Sequence, residues 1–454
     1  MNTESIVPDT PAPTSSESSA GGLAFNAGIN SLGNIASRVL GLVREALAAH
    51  MFGASGATSV FNAISQVPKT TYELLVGGML SAALVPVMSE YATKERKAEL
   101  DQILSILLSL GLIVIVAVTV LLELAAPLIT PLLVAGLDAE LIALGTRMVR
   151  IVVPAILVYG LSGILQAYHY ARSRFVYPSM GAPAHNLGMI VAIVLLAGRL
   201  NVVSLAVGTL AAATAQLLVQ LPGLRGARLS WRPDWRHPAV QRILGLYGPV
   251  VLSIIVQNVG VIIDRNLASR TVEEAITWMA DATFLIQLPL GLVSMAISLA
   301  VLPRLSQIDA RSELDRFKRT FTLGLRLVLV VIIPSAVGLW LLGKPIIELI
   351  FEHGEFTALD TAQTWRALKL YLIGLPFSAI DLPLIFAFYA QKDTVTPVLV
   401  GILAVLIYLA VGPVLAFVVG LGFYGLVIAN SVQLTAHALL MLVVFRRRFA
   451  GLRG

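Results

Sequence analysis

The chain contains no cysteine, which excludes disulfides, thiolate metal sites and cysteine nucleophiles together. Charge is also scarce. Asp, Glu, Lys and Arg make up 13% of the 454 residues, where a soluble domain carries about 25%. No GxxxxGKS/T, GxSxG or HExxH word occurs, so nothing points to an ATPase, a serine hydrolase or a zinc protease. His169, His185 and His437 are scattered and have no carboxylate at metal-ligand spacing, so neither a metal nor a cofactor is expected. The opening residues lack the basic start and apolar core of a cleavable signal peptide.

What the chain has is apolar sequence: 57% hydrophobic residues and a mean hydropathy of +0.85. Ile103 to Leu122 reads ILSILLSLGLIVIVAVTVLL, long enough to cross a hydrocarbon core of about 30 Å without meeting a charge. A bilayer offers no water to lone backbone amides, so such segments must be helices. The expected fold class is an all-α polytopic membrane protein with about twelve transmembrane helices. They are placed near 26–50, 59–90, 101–134, 140–172, 176–199, 202–224, 239–269, 276–307, 315–351, 361–391, 394–419 and 421–446.

The net charge of +6 and pI of 9.6 report topology and not a nucleic-acid partner, because the basic residues are spread over short connections. Even-numbered connections hold Lys94, Arg96 and Lys97, then Arg172 and Arg174, the arginines between 225 and 242, a third cluster from Arg304 to Arg319, and Lys392. Odd-numbered ones hold little beyond Arg199, Arg270 and Lys344, beside acids such as Asp138, Glu273 and Glu355. The positive-inside rule then puts both termini in the cytoplasm.

The second half echoes the first. SAALVPVMSE (Ser81 to Glu90) resembles SLAVLPRLSQ (Ser298 to Gln307), with the shared prolines Pro86 and Pro303 offset by 217. Tyr170 and Pro178 match Tyr389 and Pro397 at an offset of 219. Parallel repeats of this kind build transporters whose site lies between two halves. The expected organisation is a disordered tail 1–22, a six-helix lobe 23–225, a cytoplasmic linker 226–238, a second lobe 239–448 and a basic tail 449–454.

Charges inside this apolar pattern are the candidate site. Arg38, Arg44 and Glu45 lie in the first segment, and an ionised guanidinium at the centre of a span costs roughly 2.5–3.5 kcal/mol on insertion scales. Such groups should face a wet cavity suited to an anionic substrate. Arg38 and Arg44 point roughly 120° apart on a straight helix, so a bend at Gly41 or a wide cavity is needed for both to meet one ligand. Lys69 and Glu73 stand one turn apart and are expected to pair. Asp381, between Pro376 and Pro383, has no local partner and is a candidate for a coupling cation or proton.

SRVLGLVREALAAHMFGASGATSVF (Ser37 to Phe61), GGMLSAALVPVMSEY (Gly77 to Tyr91) and FEHGEFTALDTAQTWRAL (Phe351 to Leu368) together resemble the MviN/MurJ family of lipid II flippases. That family lies within the multidrug/oligosaccharidyl-lipid/polysaccharide exporter superfamily. The resemblance implies two six-helix lobes around a central cavity, which move a lipid-linked peptidoglycan precursor to the outer leaflet by alternating access. It matches Arg38 and Arg44 to family arginines needed for function. The chain departs from the family at several places: Tyr72 and Glu73 stand where a pair of arginines is usual, Gly77 and Ser59 replace acids, and Phe284 replaces an arginine. Members also often carry two further C-terminal helices.

The function expected is therefore an inner-membrane flippase, not an enzyme. Its partners are a polyprenyl-diphosphate-linked glycan, membrane lipids, and a coupling cation or the membrane potential. Arg38, Arg44 and Lys69 hold the headgroup, and Asp381 takes the coupling ion. The alternatives are a flippase for another polyprenyl-linked glycan and a non-transporting scaffold for envelope assembly. A drug/cation antiporter would show Glu73, Asp264 or Asp381 dominating over Arg38.

Overall fold

The computed structural model describes residues 15–77, 79–93, 95–291, 305, 308, 313–391, 393 and 395–450. Helix α1 (Ser15–Phe52) opens the chain. It begins inside the stretch expected to be a disordered tail, of which residues 1–14 lie outside the described residues. The second apolar segment is not one helix. It runs as α2 (Gly56–Ile64), α3 (Gln66–Tyr72), two π-helical turns (Glu73–Gly77 and Leu80–Leu84) and α4 (Val85–Ser89). Pro68 and Pro86 each remove an amide from the ladder, and the extra residue per turn in a π segment absorbs the mismatch.

The remainder of the first half is α5 (Lys97–Leu133), α6 (Ala139–Val152), α7 (Ala155–Ala171), α8 (Val176–Leu200) and α9 (Val203–Gln220). The fourth expected span is split between α6 and α7, where Pro154 has no N–H to continue the bonding. An irregular linker leads to α10 (Pro238–Ser269) and α11 (Ala275–Pro289). Then come α12 (Leu314–Ile350), α13 (Ala358–Ala390), α14 (Val395–Pro413) with a π turn at Val414–Val418, and α15 (Phe423–Ala450). The repeat word Ser298–Gln307 lies outside the described residues apart from Leu305.

Among the described residues, eight helical segments are long and apolar enough to cross a membrane, with α6 and α7 together forming one of them. The other four expected segments correspond to α1, the broken α2–α4 run, α10 and α11. Helix boundaries recur through the chain: α5 and α12 both have 37 residues and start 217 apart. The starts of α2 and α11, of α6 and α13, and of α8 and α14 are each 219 apart. Caps recur in register as well, with Asp138 capping α6 and Thr357 capping α13. Outward-facing leucines such as Leu124 and Leu128 on α5, or Leu341 and Leu349 on α12, are more than two-thirds exposed. That surface suits acyl chains, not water.

The odd-numbered connections gather at one end, where the halves meet closely. Glu355 N–H donates to the His50 carbonyl at 3.0 Å, Gly136 N–H to Ser269 Oγ at 3.1 Å, and Asn266 Nδ2 to the Leu132 carbonyl at 2.7 Å. Slightly deeper, Thr277 of α11 meets Ser59 Oγ at 3.1 Å, Thr58 Oγ1 at 3.2 Å and Asn62 Nδ2 at 3.3 Å. The word FEHGEFTALD makes much of this closure: Gly354, with φ +62°, lies against His50, and Thr357 with Asp360 forms a capping box. At the opposite end the halves touch through an exposed ion pair, Arg242 to Glu90 at 2.6 Å. Nearby, the Tyr247 hydroxyl donates to the carbonyls of Glu73 and Leu74.

Candidate functional site

Two cavities of about 470 and 570 Å³ lie between these ends, and Gln66 and Lys69 line both. The first is built on α1, α2, α3, α7, α8, α9 and α11. Arg44 reaches it from α1, donating through Nη1 to Asn186 Oδ1 at 3.0 Å and pairing with its neighbour Glu45. Asn186 is in turn held by the carbonyl and hydroxyl of Ser37, at 2.9 and 3.2 Å. Gly41 faces Asn186, and a Cβ there would stand in ordinary contact, 3.6 Å from its Nδ2. The guanidinium is thus aimed by a second helix and not by a bend in its own.

Lys69 makes no ion pair with Glu73 among the described residues. Glu73 opens the π turn, and its Oε2 lies over Gly77, where an added Cβ would come within 2.7 Å of it. The changed helical pitch carries the carboxylate away from the lysine, which correspondingly faces open space. Tyr72 and Tyr159 form part of the same wall with ring centroids 6.0 Å apart, and the Tyr159 hydroxyl meets His185 Nε2 at 2.8 Å.

Arg38 is not among the lining residues of either cavity. Its guanidinium is packed onto Gly291, so closely that a Cβ at that position would collide with Nη2. It therefore sits at a contact between α1 and the segment just after α11. It has no carboxylate partner among the described residues.

Asp381 lines the second cavity, and it does have a partner: His437 Nδ1 lies 2.7 Å from Oδ1, supplied by α15 from 56 residues away. Asp264 in the same cavity accepts from the Tyr408 hydroxyl, with Arg265 beside it. Spacing along the chain gave no sign of either pairing.

Sequence reading also missed Asp281, which lines the first cavity from α11. A lone acid within WMADATFLIQ was the available signal. Altogether the first cavity presents Arg44 and Lys69 with Glu45, Glu73 and Asp281. An arginine fork and a free ammonium are suited to the oxygens of a phosphate ester.

A family model described as "MurJ: Lipid II flippase MurJ" matches residues 48–454. The lipid II flippase MurJ of Burkholderia cenocepacia is 31% identical over 431 residues, covering 91% of this chain and 81% of that protein. Among solved structures, a lipid II flippase MurJ in an inward closed conformation superposes with a TM-score of 0.79 at 24% identity, over 93% of this chain and 89% of the other. An inward-facing multidrug resistance MATE family transporter gives a TM-score of 0.78 at 14% identity, over 92% and 95% of the two chains. At those identities, the two superpositions show a shared fold.

Proposed function

The chain belongs to the lipid II flippase MurJ family, and from that premise we propose that it translocates a lipid-linked peptidoglycan precursor across the bacterial inner membrane. The observation that carries this reading is Lys69: an ammonium without an ion pair among the described residues, at the junction of two cavities and within the same chamber as the Arg44 guanidinium. Arg44 exchanges Glu45 for the diphosphate, and Lys69 adds a second cation. Arg38 joins them when rocking of the halves lifts it from Gly291. The halves are the lobes 23–225 and 239–448, joined by the linker 226–238, with both termini cytoplasmic. The end sealed by His50, Gly136 and Glu355 is then the periplasmic one, and alternating access requires those bonds to break. Asp381, with His437, is the seat of the coupling ion. The cycle carries cargo and makes no covalent bond.

A second reading, translocation of another polyprenyl-linked glycan, is favoured by Tyr72 and Glu73 standing on the first cavity's wall in place of arginines. Both are tested by reconstituting the protein in vesicles with fluorescent lipid II. Arg44→Ala should slow translocation by about tenfold or more, given charge-assisted bonds worth about 1.5–3 kcal/mol. An unchanged rate overturns the role of Arg44, and a wild-type protein that moves no lipid II overturns the transport reading and leaves a scaffold. Depleting the protein in its host and identifying the lipid-linked sugar that accumulates on the inner leaflet separates the two cargoes.

A further inference from the structure

The first cavity holds one ionisable group that no feature of the anion site explains. Asp281 projects from α11 into the chamber, yet its Oδ2 is sealed from solvent and has no hydrogen-bond partner among the described residues. Neither cation in the cavity serves it: Arg44 is occupied by Glu45 and Asn186, and Lys69 makes no ion pair among the described residues. Its charged surroundings are unfavourable, since the carboxylates acting on it are Glu45 from α1 and Asp360 from α13. A carboxylate with one oxygen sealed and unpartnered, set near other carboxylates, sheds its charge by binding a positive ion. Among the described residues no three His, Asp or Glu come together as a metal cage. A proton needs only the one unpartnered oxygen.

We propose that Asp281 is a proton-binding site of the chamber, and that its proton travels with the anionic headgroup as the coupled ion of the first half. The proposal rests on the diphosphate reading of Arg44 and Lys69. With all three acids ionised, Glu45, Glu73 and Asp281 outnumber the two cations, and a dianion enters a chamber already negative. One proton taken from the cytoplasmic water by Asp281 removes that excess, and no other bond is made or broken. Because the proton and the dianion favour each other's binding, each raises the affinity for the other by the same factor. Opening the periplasmic end exposes both, and deprotonation of Asp281 weakens the hold on the headgroup at the side where it must leave.

The remaining groups facing the chamber are Tyr72 and Glu73 after α3, Tyr159 from α7 and His185 from α8. Of these, His185 alone has an ordinary titration range close to neutral. Asp281→Asn leaves it in place, which allows the two to be told apart.

Two measurements on the purified full-length protein test the proposal. The first needs no ligand. Infrared difference spectra should show a protonated-carboxyl band near neutral pH that disappears in Asp281→Asn and returns in Asp281→Glu; identical spectra for wild type and Asp281→Asn overturn the proposal. The second uses undecaprenyl diphosphate as the probe. Wild-type affinity should fall as pH rises, by up to about tenfold per pH unit for one linked proton, while Asp281→Asn stays at the acidic-limit affinity at every pH. A flat wild-type profile, or a slope that survives in Asp281→Asn and so belongs to His185, overturns the coupling. If the probe does not bind at any pH but the band behaves as stated, the diphosphate reading fails and the proton site stands.

Discussion

The two cavities occupy a frame built twice, yet they use their charges in opposite ways. In the second, both acids are tied to side chains far along the sequence, Asp381 to His437 at 2.7 Å and Asp264 to the Tyr408 hydroxyl. In the first, Lys69 has no ion pair and Asp281 Oδ2 has no hydrogen bond among the described residues. The frame itself is apolar packing, so polar residues on the inner walls diverged without disturbing helix positions 217–220 residues apart. The contrast concerns the acids alone, since Arg265 Nε in the second cavity is also buried without a partner among the described residues. The proposed cargo site is the first cavity, where an acid as well as the shared Lys69 is left unmatched among the described residues.

The sharpest way to break the contrast is to remove the charge common to both cavities. Lys69→Ala should weaken undecaprenyl diphosphate binding about 10- to 100-fold, as expected for losing a charge-assisted contact of about 1.5–3 kcal/mol, with thermal stability in detergent held or raised. A loss of stability without a loss of affinity would mean that Lys69 is structural and that the cavities do not differ as argued. The converse test is Tyr408→Phe. Stripping Asp264 of its donor leaves a half-buried carboxylate without that bond and should cost about 1 kcal/mol of stability, seen as a lower unfolding temperature, while diphosphate affinity changes by less than about twofold. If affinity falls as far as in Lys69→Ala, the second cavity is part of the cargo site.

Much of the frame was readable because lipid imposes it: apolar runs had to be helices, and the offsets of 217 and 219 found in short sequence words return as offsets between helix starts. Arg44 and Lys69 were readable for the same reason, as charges whose cost inside a span needs a wet cavity. Partners were not readable. Asn186 lies 142 residues from Arg44, and His437 lies 56 from Asp381, distances over which no helical periodicity carries information. The Lys69–Glu73 pairing failed because it assumed an unbroken α-helix, whereas the π turn starting at Glu73 redirects the carboxylate. Arg38 illustrates a different limit. Its depth in the span was apparent, but its seat on Gly291 depends on how the halves dock. The motif at Phe351–Leu368 gains a physical reason only in three dimensions, where its turn seals one end of the chamber.

The smallest effect is expected where the two halves solve one turn differently. Between α7 and α8, Arg174 Nη1 donates to the Gly223 carbonyl at 3.0 Å. At the matching place, 219 residues on, Asp393 accepts from the Thr396 amide at 3.0 Å and hydroxyl at 2.7 Å and pairs with Arg448. Partial burial pushes the Asp393 carboxyl up, but the Thr396 bonds and the Arg448 guanidinium together outweigh it and hold the group below the usual carboxylate range. A carboxylate lowered in the folded state contributes its stability in full above the unfolded value, near 3.9, and loses it as pH falls through the folded one. Asp393→Asn should therefore lower the unfolding temperature at neutral pH by the equivalent of less than about 1 kcal/mol, and the gap to wild type should close as the pH drops to about 3 and below. Arg174→Gln, which removes a bond between groups that do not titrate in that window, should show a gap that acid leaves unchanged. A gap that persists in acid for Asp393→Asn would mean that packing, and not charge, holds the second turn, and the two halves would then be alike at this point.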